Sequence, residues 1–100
     1  VIVQPTEGPL DIPFFNIQVI ATPGHKEDCV CYYLPEEKIL FTGDTLFQES
    51  IGRTDLPGGD MGTLIHSLNK LVVLPDDTQV YPGHGYPTTI GHEKQYNPYI

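Results

Sequence analysis

The sequence predicts a single α/β (α+β) domain, and three observations carry that prediction. Short apolar runs of strand length recur and stop at glycine. One stretch with helical spacing stands between the last of these runs and the earlier ones. With 39% hydrophobic residues among 100, the chain can bury one modest core.

The elements follow in order. The first dozen residues contain Pro5, Gly8 and Pro9, with Pro13 just after, and are expected to be irregular. Phe14 to Ala21 reads as a strand, with Ile17 and Val19 alternating against Asn16 and Gln18. Thr22 to Asp28 is a loop. Cys29 to Leu34 and Ile39 to Thr42 are strands of a hairpin turned by Pro35-Glu36-Glu37-Lys38. Asp44 to Asp60 is a long glycine-rich loop, of a length that compact domains reserve for function. Asp60 caps a helix whose apolar stripe is Met61, Leu64, Ile65, Leu68, Leu71 and Val72, and Pro75 stops it. Thr78 to Pro82 is a short strand. Thr88 or Thr89 caps a last helix through Gln95, ended by Asn97-Pro98.

Composition removes several function classes. Thirteen acids against five bases give a net charge of −8, so nucleic-acid phosphates would be repelled. No run approaches the roughly 20 apolar residues of a membrane span. Cys29 and Cys31 sit two apart in a strand-like run, where a disulfide between them would be strained. They are expected to be reduced and packed as small apolar side chains, which points to a reducing, cytoplasmic setting.

Three of the apolar runs end in the same way. Val19-Ile20-Ala21-Thr22-Pro23-Gly24 leads to His25, Ile39-Leu40-Phe41-Thr42-Gly43 to Asp44, and Val80-Tyr81-Pro82-Gly83 to His84. If the three strands share one parallel or mixed sheet, their ends converge on one edge, where functional groups gather in open α/β sheets. Two imidazoles and a carboxylate at one edge suit zinc or iron, and a carboxylate can bridge two cations. Three donors complete at most one catalytic site of about three protein ligands, so the set is short for two metals. His66 and His92 lie on helices and are expected to be surface residues.

Four ordered motifs carry a resemblance. Thr22-Pro23-Gly24-His25, Phe41-Thr42-Gly43-Asp44-Thr45-Leu46-Phe47, Gly52-Arg53-Thr54-Asp55 and Tyr81-Pro82-Gly83-His84-Gly85 resemble the metallo-β-lactamase superfamily, and within it the glyoxalase II-like (hydroxyacylglutathione hydrolase-like) hydrolases. The resemblance runs from about Asn16 to Asn97. It implies the second half of a four-layer αββα sandwich, residues 1–100 being a C-terminal half. The N-terminal half, with its His-X-His-X-Asp-His motif, would lie outside this sequence. It implies a binuclear centre in which His25 serves one metal, His84 the other, and Asp44 bridges. Zinc is the expected metal, with iron or manganese as alternatives. The catalytic aspartate would sit in the other half, leaving this chain inactive alone. Arg53 and Tyr86 match substrate-binding positions. Asp55 departs from a family tyrosine, and Arg53 and Asp55 could instead pair with each other. The implied reaction is thioester hydrolysis by a metal-activated water, the substrate a small acyl-thiol conjugate. The alternatives are a persulfide dioxygenase of the same superfamily, disfavoured by Gly85 where an aspartate is expected, and an inactive half-domain. The expected partner is the N-terminal half or a second copy.

Overall fold

The computed structural model describes residues 8–12 and 15–100. Eight strands and two helices are described: β1 (Gly8–Ile12), β2 (Phe15–Ala21), β3 (Val30–Leu34), β4 (Ile39–Gly43), β5 (Leu46–Phe47), β6 (Ser50–Ile51), α1 (Met61–Leu71), β7 (Gln79–Pro82), β8 (Thr88–Thr89) and α2 (Ile90–Tyr96). Six of the strands form one sheet in the order β1-β2-β3-β4-β7-β8, and β5 and β6 form a small hairpin of their own. The α+β architecture matches the prediction.

Strand direction is what places the site. β2 pairs antiparallel with β3, and β3 with β4, so β2 and β4 point the same way. β7 then lies parallel to β4, with Leu40 beside Val80 and Phe41 beside Tyr81. A parallel pair needs a crossover of a dozen or more residues, and the segment holding α1 supplies it. The ends of β2, β4 and β7 therefore open on one edge of the sheet.

The core lies on one face of that sheet. Cys31, Tyr33, Leu40 and Val80 meet Leu64, Leu68 and Leu71 of α1 and Ile90 of α2, all buried. Positions 64, 68 and 71 share one helical stripe, so α1 covers the sheet with a single face. Asp60 is the N-cap as expected, its carboxylate accepting from the Thr63 N–H at 2.7 Å. Thr89 caps α2. Among the described residues, no helix covers the opposite face of the sheet. Tyr32, Phe41 and Tyr81 are cross-strand neighbours there, and Phe41 and Tyr81 remain 44% and 38% exposed.

Two expectations need correction. Residues 8–12, expected to be irregular, form the edge strand β1, paired Gly8 to Val19 through Ile12 to Phe15. An edge strand tolerates Pro9, because only one of its sides has to supply ladder hydrogen bonds. The long loop after Asp44 is also not unbroken, since β5 and β6 punctuate it with two residues each. Strands that short carry no periodicity to read. The expectation for residues 1–7, and the start of the second strand at Phe14, lie outside the described residues.

Candidate metal centre

His25 is delivered by the loop after β2. The Thr22 N–H donates to the Cys29 carbonyl at 2.9 Å and closes that loop. α1 holds it from the other side: the Ser67 hydroxyl donates to the Pro23 carbonyl at 2.7 Å, and the Asp60 N–H to the Gly24 carbonyl at 2.7 Å. Gly24 has φ 141°, and a Cβ there would lie 2.6 Å from Leu64 N and collide with Leu64 Cα and Cβ. Only glycine lets the His25 loop sit this close to the helix.

Asp44 follows β4, where Gly83 N–H donates to the Gly43 carbonyl at 2.8 Å and ties the ends of β4 and β7 together. Gly52 presses against this corner, with no room for a side chain between the Asp44 carbonyl and His25 Cβ. Beneath it, the Thr22 and Thr45 hydroxyls are 3.1 Å apart, and Thr22 Oγ1 is 3.4 Å from Cys31 Sγ. This buried cluster joins the residue that starts the His25 loop to the residue after Asp44. Burial pushes the Cys31 thiol up to about 11, so it is a packed thiol and not a thiolate ligand. Cys29 is also a free thiol, half-buried beside β3.

The three predicted ligands come together. His25 Nε2 lies 3.8 Å from Asp44 Oδ2, and His84 Nε2 lies 3.4 Å from Asp44 Oδ1. A cavity of about 390 Å3 is lined by His25, Asp44, Phe47, Gly52, Arg53 and His84. His25 Nδ1 is 2.7 Å from the Arg53 carbonyl. A carbonyl can only accept, so Nδ1 carries a proton, and in the neutral ring this leaves the lone pair on Nε2, the nitrogen that faces Asp44. A hydrogen bond of this kind from the far ring nitrogen fixes the orientation of a metal-binding histidine. The donors fit a cation as two half-sites sharing Asp44. Among the described residues no three His, Cys, Asp or Glu groups close around one point. Each histidine with Asp44 offers two donors, against the roughly three protein ligands of a catalytic zinc.

The remaining predicted residues fall at the rim. Arg53 lines the cavity, but its guanidinium forks onto Asp55, Nε to Oδ1 and Nη2 to Oδ2 both at 2.8 Å. The Arg53 hydrogen bonds hold the Asp55 carboxyl down at about 2. Tyr86 is largely exposed and lines an adjoining groove with Phe47, Ser50, Ile51 and His84, outside the cavity that His25 and Asp44 line. His66 is exposed, as expected. His92 is half-buried, its Nε2 3.3 Å from Glu49 Oε2 and its ring tilted against that of Tyr96 at a centroid distance of 4.7 Å. Sequence reasoning assigned no role to Phe47, whose ring centroid is 5.5 Å from that of His84. No local pattern marks such a contact between distant loops.

The co-directional ends of one mixed sheet thus present His25, Asp44 and His84 at one edge, with Asp44 between the two imidazoles. The chain belongs to the metallo-β-lactamase superfamily, whose sequence profile matches residues 7–84. It is 47% identical over 92 residues to the hydroxyacylglutathione hydrolase GloC of Haemophilus influenzae, covering 91% of this chain and 43% of that protein. Among solved structures it resembles the BLEG-1 B3 metallo-β-lactamase, with TM-score 0.90 and 50% identity over 95% of this chain and 46% of that one. It also resembles TTHA1623 in a di-iron-bound form, with TM-score 0.88 and 44% identity over all of this chain and 50% of that one. The chain spans less than half the length of this curated relative. Among the described residues no helix is long and apolar enough to cross a membrane.

Proposed function

We propose that this chain is the C-terminal half of a metal-dependent thioester hydrolase acting on an acyl-thiol conjugate of the hydroxyacylglutathione kind. The observation that carries the reading is Asp44 standing between two imidazoles, one facing each carboxylate oxygen. His25 Nε2, both Asp44 oxygens and His84 Nε2 would hold two cations, zinc or iron, with the remaining donors supplied by an N-terminal half. Bound there, such cations would supply Lewis acidity toward a carbonyl and a water of lowered pKa.

The chain's own residues do the rest. The Arg53 carbonyl keeps His25 in the tautomer that leaves Nε2 free. The Arg53 guanidinium at the cavity rim can exchange its Asp55 carboxylate for one on the substrate, since both ends of the pair are exposed. Phe47 is an apolar wall shared by the cavity and the Tyr86 groove, and the Tyr86 hydroxyl can donate to a ligand lying along it. The open sheet face around Tyr32, Phe41 and Tyr81 is where an N-terminal half, or a second copy, would dock. The two free thiols suit a reducing cytoplasm.

The second reading is a persulfide dioxygenase, favoured by the Gly52-Arg53-Thr54-Asp55 element and opposed by Gly85. Both are tested in the full-length protein. Bound metal is counted, then release of free thiol from a hydroxyacyl thioester is compared with oxygen uptake on a persulfide. We expect two metal ions, metal-dependent thioester turnover, loss of one ion in His25→Ala or His84→Ala, and loss of both in Asp44→Ala. Oxygen uptake with a single iron would favour the second reading. Two ions retained in Asp44→Ala would remove the bridging role.

A further inference from the structure

Glu93 lies in α2, fully buried, and takes no part in the candidate centre. A buried carboxylate is tolerated when its oxygens are hydrogen-bonded. Oε1 accepts from the Glu49 N–H at 2.7 Å and from Asn97 Nδ2 at 2.9 Å, and the Thr88 hydroxyl donates to Oε2 at 2.7 Å. Two of these donors are neighbours of α2. The third, Glu49, is 44 residues away in the turn between β5 and β6.

Glu49 has reason to need the bond. It is a non-glycine residue with φ 56°, in the left-handed region that favours glycine. Such conformations persist where surrounding contacts hold them. α2 makes two more contacts to the same turn: Asn97 Nδ2 donates to the Ser50 carbonyl at 3.0 Å, and His92 Nε2 lies 3.3 Å from Glu49 Oε2. The hairpin so gripped presents Phe47 to His84. His84 is the ligand candidate most in need of support. Its side chain is 76% exposed, against 13% for His25, and its described contacts are Asp44 and the Phe47 ring.

We propose that Glu93 is a positioning residue for the centre. It holds the β5–β6 turn in the left-handed shape that sets Phe47 against His84, and so aims that imidazole at Asp44. The metal consequence rests on the proposed role of His84 as a ligand, whereas the ring placement does not.

The test uses the full-length protein. Proton contacts between the Phe47 and His84 rings are measured by NMR in the metal-free state, and cobalt(II) titration gives the number and affinity of bound ions. The variants are Glu93→Gln, Glu93→Leu and Phe47→Leu. In Glu93→Gln the amide oxygen still accepts from Glu49 and Asn97, while the Thr88 hydroxyl can turn to accept from the new NH2. The ring contact and both affinities should survive. Glu93→Leu should lose the ring contact and weaken one cobalt ion by about 10–100-fold, leaving the other unchanged. Phe47→Leu should reproduce that single weakening with the turn intact. If Glu93→Leu does not fold, Glu93→Asp takes its place, keeping the charge and losing the reach to Glu49. An intact ring contact with unchanged affinities in Glu93→Leu or its Glu93→Asp replacement, beside a lowered melting point, would reduce Glu93 to packing and overturn the proposal. If the wild type binds no cobalt, the metal reading fails, and the ring contact alone decides the role of Glu93.

Discussion

Gly24→Ala should damage fold and site together. The added Cβ would lie 2.6 Å from Leu64 N and closer still to Leu64 Cα and Cβ. Those are backbone and near-backbone atoms of α1, which cannot swing aside as a flexible side-chain end could. Ordinary contact requires the loop and the helix to part by about 1 Å or more, and forced overpacking of this kind costs about 1–3 kcal/mol. A non-glycine residue at φ 141° adds roughly 1–3 kcal/mol of backbone strain. The two are relieved partly by one movement, so the expected loss is about 2–5 kcal/mol. For a full-length protein of about 150–250 residues, at about 2–4 °C per kcal/mol, that lowers the melting point by roughly 4–20 °C. His25 is the next residue, so the same movement should loosen the Nδ1 bond to the Arg53 carbonyl and weaken metal binding. Gly62→Ala is the matched control. Its Cβ meets Asp60 Oδ2 at 3.5 Å, an ordinary contact, and an alanine within α1 should stabilise by about 0.5–1 kcal/mol. Thermal melts of the two variants, with metal content measured on each, make the comparison. Equal melting points for Gly24→Ala and wild type would show that the loop–helix approach is not constrained as described.

Two further outcomes are expected. Arg53→Ala should raise the KM of a substrate bearing a carboxylate while leaving the melting point near wild type at neutral pH, because the Arg53–Asp55 pair is exposed. The Asp55 titration, read by carboxyl NMR, should have its midpoint near 2 in the wild type and return toward 3.8 in Arg53→Ala. The folded-state pKa is the depressed one, so the small stabilisation from this pair is present above about 4 and fades as the pH falls toward 2. A midpoint that does not move would mean that the fork seen here is not held in solution. Separately, the 100-residue chain should sediment as something other than a monomer at micromolar concentration, through the open face at Tyr32, Phe41 and Tyr81. Phe41→Glu with Tyr81→Lys should reduce that association, and a monomeric, cooperatively melting wild-type chain would refute it.

Much of this protein could be read along the chain, where signals are local. The strand-glycine-ligand pattern at His25, Asp44 and His84 is written within five to seven residues each time. The cap at Asp60 follows from its residue type just before the helical pattern, and the stripe at Leu64, Leu68 and Leu71 from a helix repeating every three to four residues, whereas the choice of Thr89 over Thr88 as the second cap came only with the structure. What could not be read is what depends on pairing between distant segments. Strand order makes β2, β4 and β7 co-directional and so turns three local patterns into one centre, but backbone ladders leave little mark on side-chain identity. β1 joined the sheet despite its proline, because an edge position asks less of the backbone than an interior one. Whether Arg53 reaches outward or folds onto Asp55 depends on loop shape, and here it folds onto Asp55. Phe47 against His84, and Glu93 under Glu49, join residues 37 and 44 positions apart. Such contacts exist only once the chain has folded back on itself, since no property of either residue alone requires the other.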